Sequence, residues 1–305
     1  MNARFRSRVF DGGAPLLLPG ASDAMVARLL EDVGAEAIYI SGAGTTNALL
    51  GMPDLGVLTA TELIAQVSAI RDVVELPLVV DADTGFGNVV NVRRTVRALE
   101  RAGASAIQIE DQVMPKRCGH FPDKSVISAR EMVEKIYAAT DARTDDDLLI
   151  IARTDARAEL GLSEALDRMQ AYREAGADVL FVEAPESVDE MKNAVAAIPG
   201  PHIVNMVEGG LTPILPMAEL AEIGFAIVLY ANSVMRAGMM GMRSVAQHLV
   251  KTGDTLAVDD QIAGWEFRQS LVRKQFFDEL VDTYQSRAAR GGAIAAATDT
   301  GAGVP

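Results

Sequence analysis

The chain has 305 residues, of which 49% are hydrophobic and 23% are charged, so it is long enough to bury a large apolar core. It carries 42 acidic and 28 basic residues, which gives a formal net charge of -14. This acidic balance argues against a nucleic-acid binder, which needs a basic face, and against attachment to anionic membranes.

Segments that direct a chain to a membrane or out of the cell are not evident. No apolar run approaches the ~18 residues of a membrane-spanning helix, and the first residues lack the apolar stretch of a secretory signal. The single cysteine excludes an internal disulfide and is typical of a reducing compartment. We therefore expect a cytoplasmic protein.

Eight short apolar segments recur along the chain, each followed by a longer segment with helical periodicity. Their apolar runs are continuous rather than alternating, which is typical of parallel strands covered on both faces. In chain order, the predicted strands are Leu16–Pro19, Ala37–Ser41, Leu78–Asp81, Ala106–Glu110, Leu148–Arg153, Val179–Glu183, His202–Asn205 and Phe225–Tyr230.

The intervening segments carry signals for helix starts and stops. Asp23 and either Thr59 or Thr61 are candidate N-caps. Eight β/α units in about 250 residues predict a (β/α)8 barrel. A doubly wound open sheet is the alternative, but the Gly-rich phosphate loop expected after its first strand is absent. Three glycines are candidate helix stops: Gly34, Gly103 and Gly176.

The segment 232–285 follows the last predicted strand and has the pattern of further helices. It is more apolar than a monomeric barrel requires, and we expect it to pack on a neighbouring subunit. The final residues are rich in Gly and Ala without periodicity. We expect one domain over residues 1–288 and a disordered tail over 289–305.

Polar residues follow the apolar runs of most predicted strands. Active sites of (β/α)8 enzymes lie at the C-terminal ends of the strands, so these residues are expected to converge at one end of the barrel. Gly42 and Ala43 follow Ser41 at the end of the second strand. In chain order, the polar residues are Tyr39, Ser41, Asp81, Asp83, Thr84, Glu110, Asp111, Gln112, Arg153, Thr154, Asp155, Glu183, Asn205, Asn232, Ser233 and Arg236.

Three of these residues form a candidate metal site. Asp81 and Asp83 are two positions apart, so both carboxylates point the same way if strand geometry continues. Together with Glu110 they offer hard oxygen ligands suited to Mg2+ or Mn2+. The alternative is that one carboxylate caps a helix and another pairs with Arg153. Three carboxylates at neighbouring strand ends favour the metal.

The segment Lys116–His120 holds the single cysteine of the chain. A lone cysteine is usually an inert buried residue, but Cys118 lies beside Arg117 and near His120, which favours the reactive thiolate. The surrounding segment Asp111–Ser128 is long and has no periodicity, which suits a lid. For His120 alone, a structural role is the more common one.

The chain resembles the isocitrate lyase/phosphoenolpyruvate mutase superfamily in five motifs that occur in the right order. The KRCGH motif is typical of the lyases of that superfamily. The length resembles the 2-methylisocitrate and 2,3-dimethylmalate lyase branch, because isocitrate lyase itself carries large insertions. The motifs are DADTGFG at 81–87, EDQ at 110–112, KRCGH at 116–120, IARTD at 151–155 and NMVEGGLT at 205–212.

The resemblance implies a (β/α)8 homotetramer that exchanges a helix between subunits. It implies Mg2+-dependent cleavage of a C–C bond in a small 2-hydroxy di- or tricarboxylate, which gives a 2-oxo acid such as pyruvate and a succinate- or propionate-type acid. Neither a nucleic acid nor a membrane is an implied partner.

The resemblance also implies roles for individual residues. Asp81, Asp83 and Glu110 are expected to hold the metal directly or through water. Arg153 is expected to bind the carboxylate and the forming oxyanion. The remaining roles are Ser41, Gly42 and Ala43 around the 2-oxo-acid half; Gly119, His120, Glu183, Asn205 and Arg236 around the other half; Tyr39 as the base; and Cys118 as the general acid.

Other functions stay open. One is a carboxyphosphonoenolpyruvate phosphonomutase-like isomerase or an oxaloacetate hydrolase or decarboxylase. Another is a non-catalytic barrel scaffold, which predicts loss of metal ligands or lid residues, yet all are present. Methylisocitrate lyases carry a further arginine that this chain lacks near Gly264, although Arg268 follows closely, so the exact substrate stays open.

Overall fold

The computed structural model describes residues 1–117, 119 and 125–290. Cys118, His120 and most of the predicted tail over 289–305 lie outside the described residues. The chain divides into two compact units, Met1–Arg243 and a second one that begins at Ser244. The predicted polar strand-end residues that the structure describes all belong to the first unit.

Eight parallel strands close into a barrel in which each strand pairs with the next and the eighth pairs with the first. The (β/α)8 prediction is confirmed, and every predicted strand is present with its ends shifted by at most two residues. The strands are β1 Leu16–Ala21, β2 Ile38–Ile40, β3 Leu78–Asp81, β4 Ala106–Glu110, β5 Leu149–Thr154, β6 Val179–Val182, β7 His202–Asn205 and β8 Ile227–Tyr230.

Helices alternate with the strands and continue after β8. They are α1 Asn2–Phe10, α2 Ala24–Asp32, α3 Gly42–Leu50, α4 Ala60–Arg71, α5 Val89–Arg101, α6 Ala129–Thr140, α7 Ala156–Leu160, α8 Leu162–Glu174, α9 Val188–Ala197, α10 Met217–Ile223, α11 Ser233–Thr252, α12 Trp265–Leu271 and α13 Lys274–Arg290, with a 3-10 helix at Leu256–Gln261.

The predicted helix caps are present. The Asp23 carboxylate accepts hydrogen bonds from the backbone N–H groups of Met25 and Val26, which satisfies donors that have no partner inside α2. Thr59, and not Thr61, caps α4 in a reciprocal pair with Glu62. The predicted stop glycines after α2, α5 and α8 all have positive φ.

Two apolar layers hold the barrel. One lies between the outer face of the strands and the helices, and the other fills the barrel interior. Phe5 and Val9 of α1 pack into the interior layer with Leu16, Ala37 and Val179 at or next to the strand starts. The α1 helix therefore covers the amino end of the barrel, which leaves the carboxyl end for a site.

The helix after β8 differs from the others in its burial. None of the described residues of α11 is buried, and Met240 and Met242 are each about two-thirds exposed. Leu17, the second residue of β1, is also exposed. Among the described residues, no helix is both long and apolar enough to cross a membrane.

Candidate active site

A small cavity of about 60 Å3 opens at the carboxyl end of the barrel. It is built from side chains that follow different strands, which explains why residues far apart in the chain meet there. Predicted site residues in its wall are Tyr39, Ser41, Ala43, Asp81, Gly119, Arg153, Glu183 and Asn205; the wall also contains Asp54, Lys116, Arg117, Val207, Leu229, Ala231 and Asn232.

Asp81 is the last residue of β3, and its carboxylate is held by three N–H donors. They are the backbone of Gly42, the backbone of Asp83 and the side-chain amide of Gln108, each at 3.2 Å. The expectation that strand geometry continues to Asp83 is wrong, because Asp83 has a φ of 47°. The chain turns there as β3 ends.

Gly42 brings the two aspartates to one place despite that turn. A Cβ on Gly42 would lie 2.9 Å from Asp83 Oδ1 and 3.3 Å from Asp81 Oδ2. Both carboxylates therefore pack directly against the first turn of α3, and a side chain at this position would displace them. Ser41, the N-cap of α3, accepts a hydrogen bond from the Gly44 N–H.

Lys116 joins this group from the loop after β4. Its Nζ lies 2.8 Å from Asp83 Oδ1 and 2.6 Å from Asp54 Oδ1, and the side chain is buried. Burial alone would lower the pKa of Lys116, but the nearby Asp83 and Glu110 outweigh it and raise the pKa well above its usual value. Burial raises the pKa of Asp83 to about 6, against the opposing effect of Lys116.

Asp54 was not predicted from the sequence. It lies in the loop between α3 and α4, and its segment, Met52-Pro53-Asp54-Leu55-Gly56, carries no recognisable motif. Lys116 was noted only as a neighbour of Cys118. The ion pair between Asp54 and Lys116, 62 positions apart, leaves no pattern in local sequence. It forms only because the two loops fold over the same end of the barrel.

Arg153, the last residue but one of β5, lines the cavity beside Glu183. Asp155 binds its guanidinium with two bonds of 3.0 Å, from Nε and from Nη2. Glu110 and Glu183 lie farther away, each 3.4 Å from the guanidinium. Burial would lower the pKa of Arg153, but these carboxylates, Asp155 foremost, outweigh it and raise the pKa. Arg153 is therefore a permanent buried cation.

Gly119 and Asn205 complete this side of the cavity. A Cβ on Gly119 would collide with Arg153 Nη2 and the Glu183 side chain, so only glycine allows this close approach. The Asn205 amide donates to Glu183 Oε1 at 3.3 Å. Cys118 and His120, on either side of Gly119, lie outside the described residues.

Tyr39 is buried in the floor of the cavity. Its hydroxyl donates to Gln108 Oε1 at 3.0 Å. Burial, reinforced by the charge of Asp81, raises the pKa of the phenol well above its usual value. In this arrangement Tyr39 keeps its proton, and its role as a base stays a prediction.

Arg236 is not among the residues that line the cavity. Its guanidinium bonds to the backbone oxygen of Glu208 at 3.0 Å and pairs with the Glu208 carboxylate at 3.3 Å. Half of the Arg236 side chain is exposed. The first turns of α11 therefore place it at the edge of the barrel end.

The charges at this end suit a divalent cation. Carboxylates outnumber the buried cations Lys116 and Arg153, and Glu110 Oε1 is buried without a hydrogen-bond partner among the described residues. Burial raises the pKa of Glu110, against the opposing effect of the Arg153 charge.

The three predicted carboxylates are not arranged to bind one metal ion directly at the same time. In the described parts of the chain, no three His, Cys, Asp or Glu side chains gather closely enough to hold a metal together. Mg2+ normally takes one or two carboxylates and completes its shell with water and substrate. The residues present fit that mode, and the donor set is entirely oxygen.

Comparisons with known proteins agree with this geometry. The sequence is 47% identical to 2,3-dimethylmalate lyase of Eubacterium barkeri, over 88% of this chain and 93% of the relative. It is 44% identical to 2-methylisocitrate lyase of Aeropyrum pernix, over 86% and 82%. The structure matches oxaloacetate acetylhydrolase bound to 3,3-difluorooxalacetate with a TM-score of 0.85 and 31% identity, covering 96% and 98% of the chains.

The profile of the family described as phosphoenolpyruvate phosphomutase matches residues 5–250, which include the whole barrel and the cavity at its carboxyl end. The resemblance noted in the sequence motifs is thereby confirmed. This chain is a member of the phosphoenolpyruvate mutase/isocitrate lyase superfamily.

Proposed function

We propose that this protein is a Mg2+-dependent carbon–carbon lyase that cleaves a 2-hydroxy di- or tricarboxylate such as 2,3-dimethylmalate or 2-methylisocitrate. The products are pyruvate and propionate or succinate, respectively. The observation that carries the proposal is the cavity itself. Its wall combines the buried carboxylates of Asp81 and Glu183 with the buried cation Arg153, in a chain that is 47% and 44% identical to lyases with these two names.

The metal belongs with Asp81, Asp83 and Glu110. When bound, Mg2+ would polarise the carboxylate and hydroxyl oxygens of the substrate and make the hydroxyl more acidic. Mn2+ offers similar chemistry to the same oxygen ligands.

The chain supplies the groups that hold the substrate. We assign Ser41, Gly42 and Ala43 at the start of α3 to the 2-oxo-acid half. Arg153 binds the carboxylate of that half and stabilises the oxyanion that forms as the bond breaks. For the other half, the assignment is Gly119, His120, Glu183, Asn205 and Arg236.

Two proton transfers complete the reaction. The hydroxyl proton leaves, the C–C bond breaks, and its electron pair moves to the carbon next to the second carboxylate. We assign the protonation of that carbon to Cys118 and the first transfer to Tyr39. Tyr39 can accept the proton only as the phenolate, which the positive charge of a bound Mg2+ would favour. Tyr39→Phe tests this assignment, because it keeps the ring and removes the hydroxyl. Loss of turnover by ~10^2-fold or more supports it, and an unchanged rate contradicts it.

The experiment that tests the function is a substrate comparison with the purified protein and Mg2+. We expect pyruvate from 2,3-dimethylmalate or 2-methylisocitrate, followed with lactate dehydrogenase, and loss of the signal in EDTA. Isocitrate, read out as glyoxylate, is the matched control for the substrate branch. Absence of turnover with all three compounds would contradict the proposal.

A second candidate is hydrolysis of oxaloacetate to oxalate and acetate. It is favoured by the structural match to oxaloacetate acetylhydrolase. Oxalate and acetate need their own readout, because no pyruvate is produced. Turnover of oxaloacetate alone would replace the lyase proposal with this one.

We also propose a cytoplasmic homotetramer in which a C-terminal helix is exchanged between subunits. The support is the exposed apolar surface of α11 and the exposed Leu17 of β1, which a second copy would cover. Light scattering should give a mass near four times 32.4 kDa. A stable species of one chain mass contradicts the tetramer.

A further inference from the structure

A buried cluster of polar residues lies behind Arg153, away from the cavity. Its centre is Asp111, the residue that follows β4. The Asp111 carboxylate accepts hydrogen bonds from Thr154 Oγ1 at 2.7 Å, the Tyr172 hydroxyl at 2.8 Å and the Asp155 N–H at 2.9 Å. Arg168 Nη1 lies 3.2 Å away and adds a positive charge.

This arrangement fixes Asp155 by its backbone. The Asp155 N–H points to Asp111 Oδ1, and the preceding Thr154 is held by Asp111 Oδ2. Asp155 itself has no exposed surface. The backbone of Asp155 is therefore held by Asp111, and Asp111 is itself bound by Tyr172 and Arg168 of α8.

Asp155 in turn fixes the plane of the Arg153 guanidinium. Two parallel bonds of 3.0 Å define both the position and the rotation of that group, whereas Glu110 and Glu183, at 3.4 Å, approach it less closely. The ring of Phe181 lies under the guanidinium, with its centre 5.4 Å from the central carbon. Arg153 Nη1, which Asp155 does not bind, faces Glu110.

The same cluster anchors the end of the loop that carries Lys116 and Gly119. The Ile127 N–H donates to the Asp111 backbone oxygen at 2.8 Å, and Arg168 Nη1 donates to the Ile127 oxygen at 2.8 Å. Asp111 therefore contacts the loop end through its backbone oxygen and Asp155 through its carboxylate.

We propose that Asp155 is a positioning residue that orients Arg153 toward the substrate and that Asp111, through its bonds to residues 154 and 155, holds Asp155 in place. This rests on the proposed lyase function, in which Arg153 binds the carboxylate and the oxyanion. We expect this role to affect catalysis as well as stability. The orientation of the Arg153 guanidinium determines how well it can form two hydrogen bonds with a planar anion.

The test is Asp155→Asn, which keeps the shape of the side chain but removes its charge and one of its two acceptors. A group misplaced by about 1 Å can cost about 100-fold in rate. We therefore expect kcat to fall about 10- to 100-fold and KM to change less, because the charge of Arg153 remains.

Asp178→Asn is the matched control. Asp178 is also a buried aspartate that binds two arginines and a backbone N–H, but it lies at the amino end of the barrel. We expect it to lower the melting temperature without changing kcat. If Asp155→Asn lowers only the melting temperature, as the control does, then Asp155 is merely structural.

A double-mutant cycle with Arg153→Lys tests whether Asp155 acts through Arg153. Lysine cannot form the two parallel bonds, so adding Asp155→Asn to Arg153→Lys should change the residual rate less than about threefold. Additive losses would overturn the proposal.

Tyr172→Phe is the alternative variant if Asp155→Asn does not fold. It removes one hydrogen-bond donor from Asp111 and should lower kcat a few-fold without changing KM. An unchanged kcat would contradict the positioning role.

Binding of oxalate with Mg2+, measured by calorimetry, separates this proposal from the proposed function. Oxalate is a planar dianion that mimics the carboxylate and the adjacent oxyanion of the 2-oxo-acid half. We expect Asp155→Asn to weaken its binding at least about 10-fold and Asp178→Asn to leave it unchanged. Equal binding by Asp155→Asn and the wild type overturns the positioning role alone. A wild type that neither binds oxalate nor cleaves any substrate contradicts both proposals.

Discussion

Both ends of the barrel contain a buried aspartate paired with arginine, but their surroundings differ. At the amino end, Asp178 binds Arg143 at 2.6 Å, Arg6 at 3.0 Å and the Ile150 N–H at 2.9 Å. At the carboxyl end, Arg153 is shared by Asp155, Glu110 and Glu183. The first cluster has more cations than anions, and the second has more anions than cations.

The difference matters because an uncompensated buried charge costs stability. Arg143 and Arg6 remain partly exposed, so water can solvate the charge that Asp178 does not neutralise. The carboxylates at the other end are almost completely buried and depend on Lys116 and Arg153. We infer that the amino end stabilises the barrel, whereas the carboxyl end keeps a charge imbalance that suits a cation and an anionic substrate.

The largest expected effect at the carboxyl end comes from Asp83→Ala. Removing a proposed metal ligand should abolish the response to Mg2+ and lower turnover about 10^4-fold, since metal polarisation supplies several kcal/mol. Calorimetric titration with Mn2+ gives a readout independent of activity. A variant that binds Mn2+ and turns over normally would remove Asp83 from the metal site.

Cys118→Ser should have the next largest effect. As a weaker acid than the thiol, the hydroxyl should protonate the carbanion poorly and cut turnover by ~10^2–10^4-fold. Binding of Mg2+ and oxalate should stay intact, which calorimetry can check. A normal rate in this variant would exclude Cys118 as the general acid.

Asp178→Asn probes the amino end, where only stability should change. The loss of charge next to Arg143 and Arg6 should lower the free energy of unfolding by about 1–3 kcal/mol, as for a hydrogen bond to a charged group. Urea unfolding measures the loss, and steady-state kinetics should give the wild-type kcat. A tenfold lower kcat would contradict the inference that the amino end contributes only to stability.

The smallest effect concerns the pH dependence of stability through His202, the first residue of β7. Burial lowers the pKa of His202 from 6.5, although its Nε2 lies 2.8 Å from the Ile198 oxygen. The unfolded chain then binds the proton more readily, so this contribution to stability is present above pH 6.5. It is lost as the pH falls toward the lower pKa of the folded state.

His202→Gln should therefore flatten the loss of stability between pH 7 and pH 5. One proton contributes at most about 1.4 kcal/mol per pH unit. Urea unfolding of both proteins at several pH values measures the difference. Identical slopes would mean that other groups at the barrel dominate the acid sensitivity.

Much of the fold was predictable because it depends on local chemistry. Continuous apolar runs identified all eight strands, and Asp23 and Thr59 marked helix starts through side chains that reach their own helix. The residues at the strand ends also predicted about half of the cavity wall. These are properties of short segments, and the closed barrel follows from their repetition.

The sequence by itself therefore determined the barrel, its polar end and the family to which the chain belongs. Only the tertiary structure decided that Asp83 leaves the strand geometry, that Asp54 reaches Lys116, that Arg236 pairs with Glu208, and that Asp111 and Asp155 stand behind Arg153. The physical reason is that these contacts join residues from different loops and strands. Such partners are set by the packing of the whole barrel end and leave no pattern in local sequence.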